Sequence, residues 1–138
     1  MHKIIDDFLP KPYFVELQNI VDSADFAWYW QDDQINGYKN SHNTFGFAHT
    51  LYRNRKVMSD VFPLIKPIVH IFEDKTKIKV KDIFRMQINL STNTNLYNWE
   101  DANHVDIDDS NYPSFLLYLN KSDFALFNSF FKISLQRK

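Results

Sequence analysis

FRMQINLS, residues 84–91, is the stretch whose reading decides the fold. Phe84, Met86, Ile88 and Leu90 alternate strictly with Arg85, Gln87, Asn89 and Ser91. Period two sends the two sets to opposite faces of an extended strand, so the pattern predicts a strand with one apolar and one polar face. The apolar face needs a core. The polar face has two readings. It is ordinary solvent surface, which is the simpler reading from pattern alone, or it lines a barrel interior that holds a polar ligand.

Upstream of this strand, residues 3–9 read as a short strand ending in Phe8-Leu9-Pro10. Tyr13, Phe14, Leu17, Ile20 and Val21 recur at helical spacing behind Pro10 and Pro12, and predict an amphipathic helix over 11–23. Residues 26–30 read as a strand, the polar run QDDQINGYKNSHNT (31–44) as a loop, and FGFAHTLYR (45–53) as a strand. Ser59-Asp60 caps a helix over 59–74 in which Pro67 forces a kink. The charged stretch 75–81 then turns the chain. Downstream, STNTNLYNWEDAN (91–103) is a polar loop, His104 to Asp106 begins an extended piece, and Ser114 to Asn120 is apolar enough for a buried strand. With helices mainly in the first half and strands in the second, the expected class is α+β, in one domain spanning residues 1–138.

Composition narrows the function classes. The net charge is −1 and the sequence pI about 6.5, which gives no basic footprint for nucleic acid and no polybasic attraction to a membrane. There is no cysteine, so thiolate metal sites and disulfides are excluded. No apolar run approaches the ~18 residues of a membrane span, and the charged start MHKIIDDFLP does not read as a signal peptide, so the expected location is cytoplasmic. Glycine occurs only at Gly37 and Gly46, where average usage would give about ten. Turns therefore fall to Asn and Asp, or a Gly-rich part is missing.

The chemistry-bearing motif is His104-Val105-Asp106. On a strand, a spacing of two puts an imidazole and a carboxylate on one face, where they can share a divalent metal. With a second His from a distant strand they would make the two-His-one-carboxylate triad of non-haem iron(II) oxygenases. The plain alternative is a surface His beside the acidic run Asp101, Asp106, Asp108 and Asp109. The pair arises easily by chance, so its context has to decide.

That context is an ordered series: the alternating strand FRMQINL, a loop, His104-Val105-Asp106, an acidic spacer, then LLYLNKSD (116–123). Together with IIDDFLPKPYF, FGFAHTLYR and VFPLIKPIV, it resembles the 2-oxoglutarate/iron(II)-dependent oxygenases, in particular the small prolyl-4-hydroxylase-like proteins of bacteria and phages. The resemblance covers nearly the whole chain and rests on ordered elements. It implies a double-stranded β-helix, or jelly roll, with flanking N-terminal helices. It also implies a dioxygenase that converts 2-oxoglutarate to succinate and CO₂ while hydroxylating a substrate C–H bond, with Fe(II), 2-oxoglutarate and ascorbate as its small molecules. Carried over by position, His104 and Asp106 match two iron ligands, and Tyr118, Asn89 and Arg85 match the strands that touch 2-oxoglutarate. Gln87 could line the same cavity. Structural polar residues in a barrel wall remain the alternative for these last four.

The chain also departs from the pattern. The family continues with a Gly-Gly-Thr-type turn, a distal His and a basic residue for the far carboxylate of 2-oxoglutarate. Here no His follows His104, the others being His2, His42, His49 and His70. Lys132, Arg137 and Lys138 come too soon to match the basic residue. The expectation is therefore a jelly roll lacking its last strands, weakly active or inactive, whose missing strands a second chain could supply. The rival expectation is a non-catalytic jelly-roll binding or structural protein. The substrate, a peptide side chain or a small molecule, is open.

Overall fold

The computed structural model describes residues 4–32, 46–92, 114–120 and 127–137. These form an α+β arrangement of helices packed on a six-stranded antiparallel sheet. In chain order the elements are α1 (Lys11–Val21), β1 (Tyr29–Gln31), β2 (Gly46–Arg53), β3 (Lys56–Val57), α2 (Phe62–Ile65), α3 (Pro67–Thr76), β4 (Val80–Thr92), β5 (Ser114–Tyr118) and β6 (Phe127–Arg137).

Residues 4–9 do not form the expected strand. Asp7 takes a left-handed backbone (φ 47°), which breaks an extended run, and Phe8 and Leu9 are buried at the turn instead. α1 starts where the prolines allow, with Pro10 at the N-cap, and buries Leu17 and Val21. The helix expected over 59–74 is two pieces, α2 and α3. Pro67 cannot donate a backbone hydrogen bond, so it ends the first piece and starts the second at its N1 position. Ser59 still acts at this helix start, its Oγ accepting from the Val61 N–H at 3.1 Å. The strand expected over 26–30 is shorter and later, at Tyr29–Gln31.

The strand order is β1-β2-β4-β6-β5, with β3 hanging from β2. β4 and β6 are the longest strands and pair along their whole lengths, from Val80↔Arg137 to Thr92↔Phe127. β6 therefore lies between β4 and β5, which precede it in sequence and run parallel to one another. Two register shifts bend this pairing. The second leaves Phe84 between Ile83↔Leu135 and Arg85↔Ser134, so Phe84 is 47% exposed and does not continue the apolar row of Met86 and Ile88.

The core lies on one face of this sheet. Met86, Ile88, Leu51, Leu117, Ile133 and Leu135 pack there with Leu17 and Val21 of α1 and with Ile65, Ile68, Val69 and Phe72 of α2 and α3. Gln18 on α1 donates its side-chain amide to the Leu119 carbonyl, tying the helix to the end of β5. Among the described residues no helix is long and apolar enough to cross a membrane.

Candidate functional site

The opposite face of the sheet carries the polar residues. Directly paired residues of antiparallel strands share a face, so the register sorts the side chains. Arg85 pairs with Ser134, which pairs with Ser114. Gln87 pairs with Thr50 on one side and Lys132 on the other, and Lys132 pairs with Leu116. Asn89 and Tyr118 are both register partners of residue 130. Arg85, Gln87, Asn89, Lys132 and Tyr118 thus belong to one face. Asn89 and Tyr118 are two strands apart, about 10 Å at the usual inter-strand spacing.

This face is not ordinary solvent surface, which corrects the simpler reading of the FRMQINLS pattern. Asn89 is only 9% exposed and Ser134 1%, and Ser91 is buried as well. Arg85, Gln87 and Lys132 are half-buried, and the Nε of Arg85 lies out of solvent. Gln87 donates its side-chain amide to Asn89 Oδ1 at 2.6 Å, which aligns two amides along the strand. Ser134 Oγ is buried with no hydrogen-bond partner among the described residues. Tyr118 lies toward the rim, 49% exposed on the sheet-edge strand β5. Leu116 beside it is exposed too, so β5 is less buried than its apolar sequence suggested.

Chemically, the face offers a guanidinium, an ammonium, two amides and a phenol within a few residues of one another. Such a donor set suits an anion with several oxygens, because charge-assisted hydrogen bonds from Arg and Lys are stronger than neutral ones. By sequence position Lys132 follows LLYLN too closely to match the expected basic residue. Sequence distance misleads here, since β6 folds back between β4 and β5 and brings Lys132 beside Gln87. The signal for it was the alternation of Lys132, Ser134 and Gln136 with Ile133 and Leu135, which marks a two-faced strand.

His104 and Asp106, the expected metal pair, lie outside the described residues, in the segment joining β4 to β5. Thr92 and Ser114, at the ends of that segment, stand at opposite ends of the sheet, since Thr92 pairs with Phe127 and Ser114 with Ser134. Among the described residues no three His, Asp or Glu side chains come together as a metal site. No family model, curated protein or solved structure matches this chain.

Proposed function

We propose that the chain is a 2-oxoglutarate- and Fe(II)-dependent dioxygenase-type hydroxylase domain with a partial jelly-roll fold. Its polar sheet face would hold 2-oxoglutarate, and its His104-Val105-Asp106 pair would contribute to an iron site. The observation that carries this reading is the gathering of Arg85, Asn89, Lys132 and Tyr118 on one half-buried face by strand register. The order β4-β6-β5, with the last strand between the two before it, is a crossed-over antiparallel arrangement compatible with part of a jelly roll.

The donor set fits the co-substrate. A dicarboxylate needs two anchors, and Arg85 and Lys132 supply two cations on neighbouring strands. Arg85 sits one register step from Lys132 along the sheet, with Gln87 and Asn89 continuing the row of donors. Lys132 takes the role of the basic residue, although it follows LLYLN closely in sequence. When bound, iron would supply O₂ activation. The residues of this chain would supply orientation, by fixing both carboxylates and by excluding water from the wall around Asn89 and Ser134.

Two protein ligands hold iron less firmly than three, so these 138 residues are expected to be weakly active or inactive. Titration of Mn(II), an inert stand-in for Fe(II), should give weak binding that is lost in both His104→Ala and Asp106→Ala. Succinate formation with Fe(II), ascorbate and O₂ should not exceed that of free iron in buffer. Equal metal affinity in wild type and both variants would contradict the assignment of the pair. Robust turnover would mean that a third ligand comes from elsewhere in the chain.

A further inference from the structure

A groove of about 790 Å³ lies on the helix side of the sheet. His49 of β2 lines it and is the register partner of Ile88, which puts the groove on the face away from Arg85 and Lys132. One wall is α1, whose Pro12, Val15, Glu16, Asn19 and Ile20 recur at helical spacing. Asp25 to Ala27 form a second wall, and Asp60 with Val61 a third.

His49 braces two of these walls. Its Nδ1 lies 2.7 Å from the Ala27 carbonyl oxygen, which can only accept, so Nδ1 donates. Nε2 is then an acceptor, and the Ser59 hydroxyl donates to it at 2.7 Å. Ser59 Oγ accepts in turn from the Val61 N–H. A single neutral imidazole thus ties the 25–27 wall to the turn that carries the 60–61 wall. The Phe26 ring packs against it, with centroids 4.6 Å apart. A ligand meets walls already in place, which lowers the ordering cost of binding.

The lining is apolar and acidic together. Val15 is 41% exposed, and Ile20, Phe26 and Val61 are half-buried beside it. Each wall carries one exposed carboxylate, on Glu16, Asp25 and Asp60. None of the three has an ion-pair partner among the described residues, and no Lys or Arg is among the described lining residues. We propose that the groove docks an extended segment of a partner protein in which Lys or Arg alternates with aliphatic residues. Alternate side chains of an extended chain point opposite ways, so the basic set can reach the carboxylates while the aliphatic set lies on Val15, Phe26 and Val61. The α1 wall is 11 residues long, or about 16 Å, which matches about five residues of extended chain. A metal ion would need carboxylates converging on one point, and among the described residues no three His, Asp or Glu side chains do so. A polyamine would answer the carboxylates but carries no side chains for the aliphatic surface. The docking is independent of the anion site, since it lies on the other face of the sheet and selects the opposite charge.

The probes are three capped peptides of about five residues, alternating Lys with Leu, Glu with Leu, and Lys with Ser. Each is titrated into the isotope-labelled chain and followed by amide NMR. The Lys–Leu peptide should bind saturably and move the amides of Val15, Glu16, Asn19, Asp25 and Asp60, leaving those of Gln87 and Lys132 in place. It should bind at least tenfold tighter than the Glu–Leu peptide and at least threefold tighter than the Lys–Ser peptide. Asp25→Lys and Asp60→Lys should each weaken it at least threefold. Asp74→Lys makes the same charge change at an exposed position of α3 and should alter affinity less than twofold. The wild-type shift map decides the matter even where a variant folds poorly. Shifts spread evenly over the surface, or an equal loss in Asp74→Lys, would overturn the docking site. Spermidine binding as tightly as the Lys–Leu peptide would overturn the peptide as its occupant.

Discussion

Tyr13 joins α1 to α2 through one hydroxyl, which donates to the Leu64 carbonyl at 2.6 Å. Partial burial, helped by the nearby Glu16 charge, pushes this phenol up from 10.0 to about 12. The unfolded chain ionises Tyr13 near 10, while the folded chain keeps the proton until about 12. The stability this residue contributes is therefore fully present below about pH 10 and is lost as pH rises from there toward 12. In thermal melts at pH 8 and pH 11, Tyr13→Phe should lose less stability between the two than the wild type does. An identical loss in both would show that the phenol does not carry the alkaline limb. A second residue-scale case is Lys77, which closes α3 in the left-handed region at φ 62° with its N–H on the Glu73 carbonyl. Only glycine takes that conformation without steric cost. Lys77→Gly should raise the urea midpoint by the equivalent of about 0.5–1 kcal/mol at an unchanged slope. The Lys77–Asp74 ion pair that it removes is solvent-exposed and offsets little.

Among the elements, β4 bears the most. It is paired with β6 along its length and with β2 from Arg85 to Ser91, and Met86 and Ile88 sit fully buried under the helices. Ile88→Ala should destabilise by about 2–5 kcal/mol in denaturant titration, as for other large-to-small core changes. Loss of less than ~1 kcal/mol would mean that β4 is not central to the core. The elements that local pattern and local chemistry govern were legible in the sequence. FRMQINLS announces β4, FGFAHTLYR announces β2, and the prolines and apolar spacing announce α1. Failures arose where a single backbone position overrode the pattern. Asp7 turns the chain out of the strand expected over 3–9, and the bulge at Phe84 removes the first residue of the alternation from the apolar row. The disruption at Pro67 was legible, although it makes two helices where a kinked one is expected. The burial of the polar face was not legible either. Alternation says that a face is polar, but only the tertiary arrangement says whether it is wet.

At the scale of the molecule, the candidate site depends on pairings that no local window contains. Arg85 and Asn89 could be nominated from their strand alone, and Tyr118 from LLYLN, but their convergence requires β6 to insert between β4 and β5. That insertion also brings Lys132 to the face. His104 and Asp106 lie outside the described residues, so the gathering of polar side chains on one sheet face is the part of the proposal that the fold supports. Binding there should weaken with salt, because both anchors are cations. The most direct test is calorimetric titration of 2-oxoglutarate, with Mn(II) present, into the wild type, Arg85→Ala, Lys132→Ala and the control Lys56→Ala, which lies on the exposed strand β3. The account predicts measurable binding in the wild type and the control, and at least a tenfold loss in Arg85→Ala and in Lys132→Ala. Affinity unchanged by either substitution, or no binding to the folded wild type, would contradict it.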